Sequence, residues 1–329
     1  ATCLIAPAPG TVADTVDGGS PVRDGTPTSF VDVARFERDE ITIPAAVSSV
    51  EEGLWVWKKL LASNPEHAST QLELSLGAPH ADGNAMLMVC LVGASDDKRD
   101  LDHRVEVRMN DQRIGTVRWD GLAPYTAELP FSAALLQDGD NRLELKATLP
   151  DGVDESMVYV DKAYVIYPRG YVADNDHFRF YADGNSLLTI KGFSTSSIRV
   201  LDITEPQKPK AVTNISIAEQ IDGHFQASLV PATPDSAYAA FSADTAFTPE
   251  IRPARRTMLA APVNQADYLI ITVPEFMTAL APLVAHRENQ GLTVKTVLVE
   301  EIQREFGNGS RDPRMIRRFL TAAYRRWMQ

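Results

Sequence analysis

The chain has 329 residues, is 44% hydrophobic and carries a formal net charge of −12. That apolar content builds ordinary cores and excludes a disordered chain, and the length suits two or three domains. The acidity argues against nucleic acid as a partner and against docking on an anionic membrane, and no apolar run reaches the length of a membrane-spanning helix.

The chain opens on Ala1 rather than Met, and residues 1–8 lack the basic start and apolar core of a signal peptide. A fragment of a longer protein is the expectation. Residues 1–29 are rich in Pro, Gly, Asp and Thr and read as a linker or disordered lead-in. Residues 53–61 hold two Trp and show no strand alternation.

Residues 30–168 are expected to form an antiparallel β-sandwich or jelly roll. Leu72, Leu74 and Leu76 alternate with Gln71, Glu73 and Ser75. The run from Met86 through Val92 is continuously apolar, as expected of a buried central strand. Val105, Val107 and Met109 alternate again, as do Tyr125, Ala127 and Leu129, and then Leu143, Leu145 and Ala147. Asn110-Asp111 and residues 138–141 supply turns, and Pro168 is expected to stop the last strand. Residues 169–260 read as a smaller β domain, with strand-like stretches at 186–192, 197–203, 223–230 and 238–241. Residues 251–256, with Pro253 and three Arg, are the expected crossing into the next domain.

Residues 261–329 then change pattern and read as the opening of a parallel α/β domain. Tyr268-Leu269-Ile270-Ile271-Thr272 is a continuous apolar strand, the signature of a strand buried on both faces. Pro274 opens a helix with Phe276, Leu280, Leu283 and Val284 on one stripe, and Gly291 stands where its C-terminal cap belongs. A second strand covers 294–299, giving one βαβ unit. After a short helix, Asp312 and Pro313 carry N-cap and first-turn signals. The following helix is expected to bury Ile316, Phe319, Leu320, Ala323 and Trp327. The whole is a multidomain chain, β first and then α/β.

Few residues suggest chemistry. Cys90 sits in the apolar run and reads as a structural thiol; a disulfide with Cys3 is open but unsupported. Three acidic clusters offer oxygen ligands for calcium, the only candidate cofactor. They are Asp96, Asp97, Asp100 and Asp102; Asp138, Asp140 and Asn141; and Asp174, Asn175 and Asp176. Asp and Asn are also the default turn residues, which is the preferred reading of each cluster. Trp55, Trp57 and Trp119 could stack sugars, with core packing preferred. Arg314, Arg317, Arg318, Arg325 and Arg326 give the last helix a basic face. The turn Val273-Pro274-Glu275 lacks the glycines of a dinucleotide fingerprint, no P-loop occurs, and the six His show no zinc spacing.

At the C-terminal segment the chain resembles the gingipain-type cysteine peptidase family. The resemblance is carried by the strand from Ala266 through Thr272, by Gly291-Leu292-Thr293-Val294, by Phe306-Gly307-Asn308-Gly309, and by the helix that opens Asp312-Pro313 and ends in Tyr324 and Trp327. Upstream, Phe36-Glu37-Arg38-Asp39-Glu40, Gly53-Leu54-Trp55-Val56-Trp57, and Gly192-Phe193-Ser194 followed by Val200 through Pro206 resemble members with β domains before the peptidase. The resemblance implies a secreted or cell-surface cysteine endopeptidase with a caspase-like α/β fold, acting on protein or peptide substrates. It also implies a His base and a Cys nucleophile after later strands of the sheet. No residue of this chain matches either, so no catalytic residue is expected here, and His286 and Cys90 are not substitutes. The segment would pack against the rest of the peptidase domain. The alternatives are an extracellular β-sandwich binding module for glycan or protein and, more weakly, a nucleotide-binding α/β domain.

Overall fold

In the computed structural model, which describes residues 14–19, 29–43, 55–97, 101–246, 257–307 and 314–327, the chain divides into two compact units. One is Val12–Phe247; the other is Thr248–Gln329 with Ala1–Thr11. Cys3, Asp100, the crossing at 251–256 and the Asp312-Pro313 cap signals lie outside the described residues.

The first unit begins with β1 (Thr15–Asp17), β2 (Ser29–Glu37), β3 (Ile41–Thr42), β4 (Trp55–Val56) and β5 (Lys58–Leu61). It continues with β6 (Ser69–Leu76), β7 (Asn84–Gly93), β8 (His103–Met109), β9 (Gln112–Trp119), β10 (Pro124–Ser132), β11 (Gly139–Ala147) and β12 (Met157–Gly170). One antiparallel sheet runs β10-β7-β12-β2, with β5 also on β12; the other runs β6-β11-β8-β9. Leu72, Leu74, Val105, Val107, Leu143 and Leu145 of the second sheet share one hydrophobic cluster with Leu87, Val89, Leu91, Val158 and Val165 of the first. Period-two spacing makes this core, because successive side chains leave a strand on opposite faces.

Strand β7 is central, between β10 and β12, as expected, and only one of its faces is fully buried. Ala85, Leu87, Val89 and Leu91 are buried, while Met86, Met88 and Cys90 on the other face are half-buried. That face is covered only in part by cross-strand neighbours, Thr126 and Lys162 beside Cys90. Pro168 does not stop β12; it lies within the strand, opposite Val31. Pairing with β7 ends at Ile166, so one side of Pro168 has no ladder that needs an N–H.

The unit continues through β13 (His177–Tyr181), β14 (Leu188–Phe193), β15 (Ile198–Asp202), β16 (Lys210–Thr213), β17 (Ser216–Glu219), β18 (Phe225–Leu229) and β19 (Ala237–Ser242). Two more sheets form, β1-β16-β15-β19-β13 and β14-β18-β17, around a second cluster that includes Phe180, Phe193, Ile190, Leu229 and Tyr238. Strand β2 reaches both cores: Ala34 and Phe36 pack on the first, and Phe30 lies in the second. The Phe30 ring lies 5.0 Å from Tyr171 and 5.9 Å from Phe178 in the second cluster. Residues 15–17, read from the sequence as linker, form the edge strand β1. Val16 packs on the second cluster and gives this short stretch a reason to order.

The second unit contains β20 (Tyr268–Thr272), α1 (Met277–Asn289), β21 (Val294–Leu298), α2 (Val299–Phe306) and α3 (Arg314–Arg326). Strands β20 and β21 are parallel, with Tyr268 opposite Val294 and Thr272 opposite Leu298, but β20 is not buried on both faces as expected: only Ile270 and Thr272, on one face, are buried. Gly291, at φ +83°, ends α1 in the left-handed conformation that glycine accepts freely. The core joins Val297 to Ile302 of α2 and to Met315, Phe319 and Ala323 of α3, with Leu259 from the entering chain. On α3 the buried row is therefore 315/319/323, four residues apart; Ile316 and Trp327 pack against it, but Leu320 is exposed. The expected apolar stripe of α1 is not buried: Phe276 is 61% exposed, and Leu280 and Val284 are half-buried. Two strands lie ~5 Å apart, too narrow a floor for a helix ~10 Å across.

Candidate functional site

Cys90 and His286 lie in different units. The Cys90 thiol is free and accepts a weak hydrogen bond from the Thr126 hydroxyl at 3.8 Å. His286 is exposed on α1.

A Ser/His/Asp grouping does exist, at a place where scattered spacing hid it. His103 Nδ1 lies 2.8 Å from Ser156 Oγ, and Nε2 lies 3.2 Å from the Gly121 carbonyl and 3.4 Å from Asp102 Oδ1. Since the Gly121 oxygen can only accept, Nε2 donates to it, and Nδ1 shares a hydrogen bond with the Ser156 hydroxyl. Asp102 in turn accepts from the backbone amides of Asp97 and Gly121. Asp102, His103 and Ser156 are each 0% exposed. Groups so enclosed cannot meet a substrate; they tie the start of β8 to the chain before β12. Trp119 stacks on Tyr125, at 5.1 Å, and meets His103 at a tilt, at 4.8 Å.

The acidic clusters act as turn locks. In the first, Asp102 caps two amides, and Asp120, outside the cluster, accepts from Leu101 N. In the second, Asp138 accepts from Ala78 N at 2.7 Å, and the buried Asn141 is bonded to Gln137, Gly139 and Asn110. In the third, Asn175 and Asp176 take positive φ in a tight turn, and Asp176 accepts both the hydroxyl and the amide of Ser194. Those two donors hold the Asp176 carboxyl below its ordinary range. Among the described residues no three His, Cys, Asp or Glu side chains group so as to hold a metal ion.

The three tryptophans do not form a platform. Trp57 and Trp119 are buried in the first core, and Trp55 is exposed. The five arginines of α3 are exposed; Arg318 donates to the Phe306 carbonyl at 3.3 Å, closing the end of α2.

A cavity of about 610 Å³ opens on the first unit where β6 and β11 run side by side, next to the β8–β9 turn. Gln71 and Glu73 come from β6, Arg142 from β11, Asp111 from the turn, and Lys58 and Arg38 from the other flank. Arg142 is paired with Asp111, Lys58 reaches Glu40, and Arg38 covers the Trp57 ring at 5.7 Å. The Lys58 ammonium holds the Glu40 carboxyl below its ordinary range. The lining offers donors and acceptors of both charges and no thiol, hydroxyl or imidazole. It can hold a polar ligand and contains no nucleophile of the serine or cysteine kind.

Residues 261–329, which contain the parallel β20–α1–β21 unit, match the family model of Peptidase family C25. The gingipain-type resemblance read from the sequence holds over this segment. The chain is also similar to the crystal structure of dimeric latent PorU from Porphyromonas gingivalis, with 15% identity and a TM-score of 0.55. That match covers 95% of this chain and 29% of the PorU chain. It shows the fold: a mostly β, multidomain chain with few helices. An insecticidal delta-endotoxin, Cry8Ea1 from Bacillus thuringiensis, is 13% identical over 36% of this chain and 21% of its own, with a TM-score of 0.26. A family 35 carbohydrate-binding module from an environmental isolate is 19% identical over 31% of this chain and 70% of its own, with a TM-score of 0.23. Likenesses that low carry no argument about this chain. No curated protein matches it in sequence.

Proposed function

We propose that this chain is the β-rich leading part, plus the first βαβ unit, of a gingipain-like cysteine endopeptidase. The observation that carries the reading is the Peptidase family C25 match over residues 261–329, laid on a parallel β20–α1–β21 unit. The likeness to PorU along 95% of the chain supports the same reading for the β portion. In this proposal β20 and β21 begin a caspase-like sheet, and its later strands bring a Cys nucleophile and a His base together. A neighbouring imidazole raises the thiolate fraction, and the thiolate attacks the peptide carbonyl. The half-exposed stripe of α1 would be covered as that sheet widens. Residues 30–168 and 169–260 would be two β domains preceding the peptidase, and the protein would act on protein substrates outside the cell or at its surface. By itself the 329-residue chain is inactive in this reading. The test is hydrolysis of peptide substrates by the chain: thiol-dependent cleavage lost on Cys90→Ala would refute it.

A second reading is favoured by the cavity beside Gln71 and Arg142. In it, the first β domain binds a glycan or a polar protein segment. Saturable binding on a glycan or peptide array, lost in the double variant Gln71→Ala/Arg142→Ala, would support it; an array without signal would end it.

A further inference from the structure

Strand β1 is unlike the rest of its sheet. Every other pairing there is antiparallel, whereas β1 runs parallel to β16, with Thr15, Val16 and Asp17 opposite Ala211, Val212 and Thr213. Its partner lies almost two hundred residues away in sequence, at the outer edge of β16. This is the geometry of a strand laid onto a finished edge, the mode by which sheets bind extended peptides.

The seat is specific. The Ala211 amide donates to the Asp14 carbonyl at 2.8 Å, and the Gly18 amide donates to the Thr213 carbonyl at 2.7 Å. Val16 packs on the second hydrophobic cluster. The Asp17 carboxylate accepts from the Asn214 amide and from Gly19 N, each at 2.9 Å, which holds it below its ordinary range. The next two residues fit a slot. A Cβ on Gly18 would stand 2.7 Å from the Thr213 carbonyl oxygen, and Gly19, at φ +65°, passes Val230 with a Cβ distance of 3.1 Å. The Val230 amide closes the slot by donating to the Gly18 carbonyl. Thr15 and Asp17 are exposed, so only one side chain of this strand enters the core. A strand held by so few contacts belongs to the low-stability end of a fold.

We propose that the outer edge of β16 is a strand-addition site for an extended peptide with an apolar residue, an aspartate and two glycines in succession. Residues 14–19 fill it in cis, and a peptide of that pattern from another chain can fill it in trans. The cis strand then acts as a built-in competitor, setting how much of the edge a partner can reach.

The test uses the full chain. Gly18→Val places a branched side chain against the Thr213 carbonyl and should unseat the cis strand. A fluorescent peptide, Thr-Val-Ala-Asp-Thr-Val-Asp-Gly-Gly-Ser, should then bind the variant saturably by anisotropy, at least tenfold tighter than it binds the wild type. Adding Asn214→Ala should weaken that binding, and a peptide with Val in place of its first Gly should not bind. Equal binding to variant and wild type, or none to either, overturns the proposal. Should Gly18→Val not fold by circular dichroism, hydrogen exchange on the wild-type chain decides. The Ala211 amide exchanging at least tenfold faster than the amides of β19 supports an exchangeable strand; equal protection overturns it.

Discussion

Replacing Phe319 by Ala tests how the C-terminal segment is built. The ring is 0% exposed and lies 5.6 Å from Phe306 and 5.7 Å from Trp327. Removing a buried Phe costs ~3–5 kcal/mol, including the aromatic pairs. A segment of about 70 residues is stable by roughly 4–11 kcal/mol at ~0.05–0.15 kcal/mol per residue. The substitution therefore removes between about a quarter and all of that stability. Tyr324, on the same helix and 79% exposed, is the control, and its removal should stay within ~0.5 kcal/mol. Hydrogen exchange read by mass spectrometry on peptides from β21, α2 and α3 gives the answer. A loss of ~3 kcal/mol lowers protection about a hundredfold in Phe319→Ala, since each ~1.4 kcal/mol is a factor of ten. Equal loss in the two variants would mean that the 315/319/323 row does not face the sheet.

Three other outcomes follow from the same structure. Burial pushes the Tyr171 hydroxyl up to about 12, with the Asn185 hydrogen bond opposing in part. Between the free-tyrosine value of 10.0 and about 12, the folded chain keeps a proton that the unfolded chain has lost, so this contribution is complete below that window and falls as pH rises through it. Thermal melts from pH 9 to 12 should lose ~2–3 kcal/mol more in the wild type than in Tyr171→Phe, and parallel curves would exclude the assignment. On β7, Leu87→Ala should cost ~2–5 kcal/mol in urea unfolding and Cys90→Ala under ~1 kcal/mol; a Cys90 effect as large as that of Leu87 would place the thiol inside the core. Trp119→Ala should destabilise by ~3–5 kcal/mol because the ring is buried and stacked on Tyr125, whereas Trp55→Ala should be near neutral; the reverse order in a melt would restore the surface role of Trp119.

Much of the fold was legible where one physical rule dominated. Alternation at Leu72, Leu74 and Leu76 maps directly onto the inward face of β6, and the βαβ order at 268–298 follows from an apolar strand, a helix and Gly291. Legibility failed where tertiary context decided. The apolar residues of β7 do not say which face is covered, and the pattern of α3 allows two stripes until the sheet selects 315/319/323. Strand β1 could not be seen, because Thr-Val-Asp among prolines and glycines looks like linker until β16 offers an edge almost two hundred residues later. Strand β13 was missed although Phe178 and Phe180 alternate; its five residues were too few to stand out. The site was the least legible part. His103 and Ser156 are 53 positions apart, and only the tertiary fold joins them. The cavity likewise draws its lining from several strands and a turn.

The central proposal is tested most directly by measuring thiol-dependent peptide cleavage on this 329-residue chain and on the longer protein of which it is proposed to be the leading part. The peptidase reading predicts cleavage by the longer protein, abolished by a thiol-alkylating agent, and none by the shorter chain. Cleavage by the shorter chain that disappears in Cys90→Ala, or a longer protein with no alkylation-sensitive cleavage, would contradict it.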